Sequence, residues 1–280
     1  MAGTQTYVER VPVSTLAGAG AHRLGPAHRT ACLPAAKPAH RRGVELHCPI
    51  GGLPRLIGPL TGPSAQMLPP YTTVVGARFW PGAASPLLGV PADDLVDLVV
   101  ELDDLWGGAA TRLGELLAIA PGPGAALEML QRFLVCRQMR TDRPDPLVTE
   151  GVRGLMPWQP VEIGTLSTQL AISASQLRRR FLTAVGVGPK VLQRTLRFQG
   201  YLALAQSAAG RPVADGRVAD LASEVGYADH AHLGRECLRL TGVTPRELLG
   251  GRFDRCGCGH DHSASYRPFL AARPRAVRAG

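Results

Sequence analysis

The chain has 280 residues, 45% of them hydrophobic and 5% aromatic, and its 31 lysines and arginines outnumber 22 aspartates and glutamates for a net charge of +9. That length has room for two domains and that composition for a buried core, which excludes a disordered polyelectrolyte. No run reaches the ~18 consecutive apolar residues of a membrane span, and the N-terminus has no apolar core of signal-peptide type, so a cytoplasmic protein without membrane contact is expected.

The charge is unevenly placed. Residues 51–159 are net acidic by three, whereas residues 1–50, 160–249 and 250–280 are each net positive by four. A basic excess favours a polyanionic partner, because every neutralised phosphate releases counterions, and the middle of the chain is not where that partner would sit. Six cysteines, Cys32, Cys48, Cys136, Cys237, Cys256 and Cys258, lack the spacing of a disulfide framework and fit a reducing compartment.

In chain order, residues 1–50 are rich in Pro, Gly, Ala, Arg and His without helical or strand period, and poor order is expected there. Order is expected to begin near Gly51, with strand-like stretches at Leu56–Leu60 and Tyr71–Phe79 ended by the turn pair Pro81-Gly82. The chain thus has room for only two or three recognisable strands before Gly82, since residues 1–50 supply none. A short helix at Asp93–Val96 and an extended piece at Val99–Leu102 follow, the latter placing Asp103 and Asp104 on opposite, solvated faces. Residues 108–158 read as a helical connecting region: Ala109–Ile119, then the amphipathic stretch Ala125–Met139, then Leu147–Met156. Cys136 reads as a small buried hydrophobe rather than a reactive thiol.

Residues 159–250 carry two similar patterns. In the first, Ile163, Leu166, Leu170, Leu177 and Phe181 recur at the three- and four-residue spacings of one helical face, interrupted by a turn at Ala171 and Ile172. Ser173 stands where an N-cap belongs, its hydroxyl able to accept from the Gln176 amide or the one before it. With Leu177 and Phe181 inward, Ser175, Arg178 and Arg179 lie outward near the helix start, and Arg180 is expected beside a phosphate. In the second pattern Val218, Leu221, Ala222 and Val225 face inward, Gly226 ends the helix, Asp229 caps the next and Leu233 anchors it. Its outward set is His230, Ala231, His232 and Arg235, with Cys237 or Leu240 on the buried side. A helix from Pro189 to Ala208 joins the two and spans ~30 Å, near the ~34 Å between successive faces of the major groove. Arg194 or Arg197 on it would position the DNA backbone, although Arg197 serves equally well as a structural ion-pair partner. Helix-turn-helix units in tandem at such a spacing point to double-stranded DNA.

Four blocks, Ser173-Ala-Ser-Gln-Leu-Arg-Arg-Arg-Phe181, Gly186-Val-Gly-Pro-Lys190, Gly226-Tyr-Ala-Asp-His-Ala-His-Leu-Gly-Arg235 and Thr241-Gly-Val-Thr-Pro245, resemble in content and order the DNA-binding domain of the AraC family of bacterial transcription regulators. The resemblance implies base-facing roles for Ser175, Arg178 and Arg179 in the first unit and for His230, His232 and Arg235 in the second. Two departures stand out: Ala208–Gly216 is longer and looser than usual, and Glu236-Cys237 replaces the aromatic that commonly follows the arginine, which implies a less firmly packed second unit. Upstream, Val75-Gly-Ala-Arg-Phe-Trp-Pro-Gly82 with Leu88-Gly-Val-Pro-Ala92 and Leu102-Asp-Asp-Leu-Trp-Gly107 is similar to the end of the cupin-like sensory domain ahead of some AraC-type regulators. The expected fold is therefore mostly α: a C-terminal tandem helix-turn-helix domain with a connecting helix, a helical middle region, and a small, incomplete β-containing N-terminal domain.

The tail, residues 251–280, is basic, reads as disordered, and carries Cys256-Gly-Cys-Gly-His-Asp-His262. Thiolate and imidazole donors suit Zn²⁺ or Cu⁺, so Cys256, Cys258, His260 and His262 are candidate metal ligands, at a spacing unlike that of structural zinc sites. No catalytic set stands out: Gly122-Pro-Gly124 is too short to cradle a nucleotide. The leading expectation is a non-enzymatic, sequence-specific transcription regulator that needs no cofactor, with DNA, RNA polymerase and a second copy of the chain as its partners. The alternatives are a metal-responsive regulator sensing through the tail and, further off, an alkylation-repair methyl acceptor.

Overall fold

The computed structural model describes residues 43–62, 73–158, 161–207 and 215–249, together with the short strands at 22–24, 36–37 and 64–65. Its N-terminal half is an antiparallel sheet backed by helices and its C-terminal half is wholly helical among the described residues, in agreement with the mostly α expectation. None of the described helices is long and apolar enough to cross a membrane.

The sheet has five strands. Strands β1 (His22–Leu24), β3 (Glu45–Pro49), β4 (Arg55–Ile57), β6 (Val74–Arg78) and β7 (Val99–Glu101) lie side by side in the order β1-β6-β3-β4-β7, while β2 (Ala36–Lys37) and β5 (Ser64–Ala65) form a separate pair. Three of these strands fall before Gly51, where the sequence offers no period, and β3 occupies the centre of the sheet. The expected start of order at Gly51 is corrected, because β3 precedes it, and so is the count of two or three strands before Gly82; most of residues 1–42 lie outside the described residues. Strand β3 hides its alternation because both of its faces are buried. Leu46 and Cys48 pack in the helix-backed core, whereas Glu45 and His47 on the other face are buried too, held by the Arg78 Nε to Glu45 Oε1 contact at 2.7 Å and a 3.1 Å His47–Glu45 contact. Register pairs Glu45 with Arg78 across the strands, so the ion pair and the ladder fix the same alignment.

Behind the sheet stand α1 (Ala84–Leu88), which the sequence does not announce, α2 (Leu102–Trp106), α3 (Gly108–Ala118) and α4 (Pro123–Gln138). Leu113, Leu117, Leu127, Leu130 and Leu134 supply their buried stripe, at the spacing expected from the sequence. Two expectations are corrected here. Asp103 and Asp104 are exposed, but in the first turn of α2 rather than on a strand. Cys136 sits on the exposed face of α4, because the buried stripe runs through Leu130 and Leu134 and turns Cys136 to solvent.

A second core begins with α5 (Pro146–Gly154) and continues through α6 (Ile163–Gln169), α7 (Ala174–Val185), α8 (Pro189–Ser207), α9 (Asp215–Glu224), α10 (His230–Thr241) and α11 (Pro245–Leu249). Helix α8 is its spine: Leu192, Leu196, Phe198, Tyr201 and Leu202 are all buried. Helix α5 belongs to this core through Val148 and Val152 and lies so close to α7 that a Cβ on Gly151 would stand 2.9 Å from the Phe181 ring.

Candidate nucleic-acid interface

The two helical pairs are built alike. Helix α6 ends in a turn in which Ala171 takes a left-handed φ of 53° and the Ile172 amide reaches back to the Ser167 carbonyl at 3.1 Å. Helix α9 ends at Gly226 with φ 81°, and the Tyr227 amide reaches the Ala222 carbonyl at 3.0 Å. One additional residue, Ala228, precedes the second cap. Ser173 then starts α7 with a full capping box, its Oγ accepting from the Gln176 amide at 3.1 Å while Gln176 Oε1 accepts from the Ser173 amide at 3.0 Å. Asp229 starts α10 by accepting from the His232 amide at 2.6 Å. Both helices end at a left-handed glycine, Gly186 and Gly242, with a proline three residues on.

Matched from cap to cap, Leu177 corresponds to Leu233 and Phe181 to Cys237, and all four are fully buried. The outward residues follow from that anchoring. Ser175, Arg178 and Arg179 are exposed on α7, and His230, Ala231 and Arg235 are exposed on α10. Arg178, Arg179 and Arg235 have no ion pair among the described residues. His232 differs: it is half-buried, its ring stands edge-on to Tyr227 with centroids 5.2 Å apart, and its Nδ1 lies 3.5 Å from the Ala228 amide. It takes the same place after the cap as Gln176, so it helps to close its own helix start.

Of the other cations near the two helices, Arg239 at the end of α10 is exposed with no ion pair among the described residues, whereas Arg180, Arg194 and Arg197 make contacts within the protein. Arg180, expected beside a phosphate, is ion-paired to Asp145 at the start of α5. Arg194, expected to position the DNA backbone, grips Glu236 of α10 with both arms of its guanidinium, Nε at 2.8 Å from Oε2 and Nη2 on Oε1. Both expectations are corrected for the same reason: a carboxylate from another helix lies within reach. Arg197 forms no ion pair among the described residues; its guanidinium carbon lies 5.7 Å from the Tyr227 ring centroid. Sequence reading missed Asp145 and Glu236. Their partners lie 35 and 42 residues away, and no periodicity reports such pairs.

The N-terminal half also touches α7. The Thr183 carbonyl accepts from the Ala92 amide at 2.7 Å, and Ser85 Oγ lies 3.2 Å from both the Thr183 and Ala184 carbonyls. The orphan carbonyls in the last turn of α7 are thus satisfied from outside the helix. A Cβ on Gly186 would stand 2.8 Å from the Ala92 carbonyl oxygen, so only glycine fits there. Residues 208–214 and the Cys/His tail lie outside the described residues, and with them Cys256, Cys258, His260 and His262.

Two helix-turn-helix units with outward arginines on their second helices, joined by one long helix, define a DNA-binding domain of the tandem type. Residues 166–250 match a family model described as a helix-turn-helix domain, and residues 26–101 match one described as a domain of unknown function. Residues 166–250 are thus a helix-turn-helix domain of the AraC type, set behind that N-terminal domain. No curated protein sequence matches it. Solved structures similar to it are of ToxT from Vibrio cholerae. An apo variant from strain SCE256 is 12% identical, with 86% of this chain and 99% of that chain covered and a TM-score of 0.45. The wild-type protein of that strain with unsaturated fatty acid bound is 13% identical, with 76% and 89% covered and a TM-score of 0.42. A further ToxT structure is 12% identical, with 88% and 98% covered and a TM-score of 0.42.

Proposed function

We propose that this chain is a non-catalytic transcription regulator that reads a specific duplex sequence by placing α7 and α10 in successive major grooves. The observation that carries this reading is the sorting of the arginines. Arg178, Arg179 and Arg235 stand exposed and without ion pairs among the described residues, on the outer faces of capped helices, as does Arg239 further along α10, while Arg180, Arg194 and Arg197 are held by other side chains of the protein. A guanidinium free to present its fork matches guanine O6 and N7, a contact worth ~1–3 kcal/mol of discrimination. Ser175 and His230 flank these arginines at the helix starts, and His232 has its Nε2 left for a base, since its Nδ1 faces the Ala228 amide. Helix α8 has 19 residues and rises about 28 Å, which suits sites one turn of the duplex apart.

Selection of bound sequences from a random duplex library, followed by titration of the selected and a scrambled duplex, tests the reading. Arg178→Ala and Arg235→Ala should each weaken binding to the selected duplex by roughly 5- to 150-fold, the equivalent of one bidentate contact, and binding to scrambled DNA by much less. Equal losses on both duplexes would reduce these residues to phosphate contacts and overturn sequence reading. RNA polymerase and a second copy of the chain are the protein partners this role calls for. The role needs no cofactor, and Zn²⁺ or Cu⁺ at Cys256, Cys258, His260 and His262 would act as a signal rather than as part of the DNA contact.

A further inference from the structure

Three arginines in succession, Arg178, Arg179 and Arg180, stand at the middle of the first recognition helix, yet only two are without a partner among the described residues. The third is held by Asp145, whose carboxylate does two things at once. Its Oδ1 accepts from the Leu147 and Val148 amides at 2.9 and 3.4 Å and so caps α5, while its Oδ2 accepts from Arg180 Nη1. The Asp145 carbonyl closes the same turn by accepting from the Thr149 amide at 2.9 Å. Arg180 leaves the helix on the flank beside the Leu177 and Phe181 stripe, the flank that faces α5, and its side chain remains 44% exposed. Without its partner it would be a mobile cation beside two base-reading arginines.

The second helix supplies an independent parallel. Matched from cap to cap, the position of Arg180 is taken by Glu236, and Glu236 is likewise ion-paired to another helix, through Arg194. The charges are reversed and the geometry of use is the same: the flank position is tied to the scaffold. In both units the pair also withholds one arginine from the surface that meets a polyanion.

We infer that Asp145 is a positioning residue for DNA recognition, which holds Arg180 against α5 and off the phosphate backbone so that the first head spends its charge on bases. This rests on the proposed function. A phosphate contact raises affinity for every sequence alike and steepens the salt dependence of binding, by a slope of about 0.9 per contact. Holding one arginine back therefore lowers affinity for random DNA and operator alike and makes binding less salt-dependent, so that base contacts carry a larger share of the binding that remains.

The test uses the full chain, with its selected duplex and a scrambled duplex of equal length, titrated across a salt series. Asp145→Asn keeps a capping side chain and removes the charge that holds Arg180. It should bind the scrambled and the selected duplex each severalfold more tightly, and steepen the plot of log K against log salt by about 0.9 on both. Adding Arg180→Gln to that variant should return the slope to its wild-type value, and Asp145→Glu should preserve it. A slope unchanged in Asp145→Asn, or a loss of binding to both duplexes that Arg180→Gln does not alter, would make the pair a structural brace and overturn the inference while leaving DNA binding intact. A wild-type chain whose binding to either duplex shows no salt dependence would overturn the DNA-binding reading and this inference together.

Discussion

The two reading heads share one backbone plan and stand on different foundations. The first is held from three sides: Phe181 fills the space under α7, α5 closes against it at Gly151, and the N-terminal half satisfies its last carbonyls through Ala92 and Ser85. The second packs against α8, α9 and α11, with Cys237 where the first has Phe181 and an Arg194–Glu236 ion pair at its flank. The difference teaches that a helix-turn-helix is specified by its caps and turn, whereas its rigidity depends on what stands behind it. The sequence departure at Glu236-Cys237 has a physical counterpart: a small thiol takes the aromatic's place, and a charge pair supplies an anchor that the aromatic would have given by contact area.

Deleting each anchor separates the two foundations. Phe181 is fully buried, so Phe181→Ala should destabilise the C-terminal core by about 3–5 kcal/mol. Cys237→Ala at the matching position removes one small group and should cost about 1 kcal/mol, close to one buried methylene. Chemical denaturation followed by far-ultraviolet circular dichroism checks both. Equal losses would show that the second head rests on its thiol as heavily as the first rests on its ring.

The flank pair comes next in size. Arg194 and Glu236 retain side-chain exposures of 25% and 11%, between a surface pair and a buried one. Glu236→Gln should therefore cost roughly 2 kcal/mol, above the ~0–1 of exposed pairs and below the ~3–5 of fully buried ones. Burial opposes the charged form of Glu236, but its hydrogen bonds to Arg194 and the attraction of that guanidinium prevail and hold the carboxyl below the usual glutamate range. A carboxylate with a depressed folded value contributes stability above its unfolded value of ~4.3 and loses it as pH falls through the folded one. Below about pH 4 the stability gap between wild type and Glu236→Gln should close. A gap that persists at low pH would mean that the pair contributes through packing and not through charge.

The same contrast explains what could be read in the letters. Helices α6, α7 and α8 declare themselves because their signals are local: Ser173 with Gln176, the stripe of Leu166, Leu177 and Phe181, and Pro189 at a helix start. Base-facing positions follow, since anchoring Leu177 inward turns Arg178 and Arg179 outward. Strand β3 stayed hidden because its polar residues, Glu45 and His47, are buried beside each other and Arg78 of β6, so the usual alternation of apolar and polar carries no inside and outside. Helix α1 is only five residues long and contains Pro86, which reads as a breaker. Asp145–Arg180 and Arg194–Glu236 join residues far apart in the chain, and only the packing of helices brings them together.

Smaller effects sharpen the comparison within the core of the second head. The hydroxyls of Tyr201 and Tyr227 are buried with no hydrogen-bond partner among the described residues, and burial pushes both phenols above their ordinary range. Their rings meet edge to face with centroids 6.5 Å apart. Tyr201→Phe keeps the ring and removes an unsatisfied polar atom, so it should stabilise the chain by about 1 kcal/mol. Thermal unfolding measures the gain. A loss of stability would reveal a partner for that hydroxyl and make the second head's core better satisfied than its side-chain contacts indicate.

The last comparison lies in the turns. Ala171 and Gly226 adopt the same left-handed conformation and close the same five-residue hydrogen bond, so the two heads differ there only by one methyl group and the extra residue before the second cap. Alanine pays roughly 1–2 kcal/mol to sit left-handed, while glycine loses more chain entropy on folding, about 0.4–1 kcal/mol. The two nearly offset, leaving a net advantage to glycine of about 0.5 kcal/mol. Ala171→Gly should therefore raise stability slightly and Gly226→Ala lower it by a similar amount, since a Cβ at Gly226 would meet nothing nearer than Arg197 Nε at 4.0 Å. Opposite and matched shifts in unfolding midpoint would establish that the turns are interchangeable and that the asymmetry of the heads resides in their supports. If Gly226→Ala proves far costlier than Ala171→Gly is favourable, the longer second turn is itself strained, and the difference between the heads begins at the backbone.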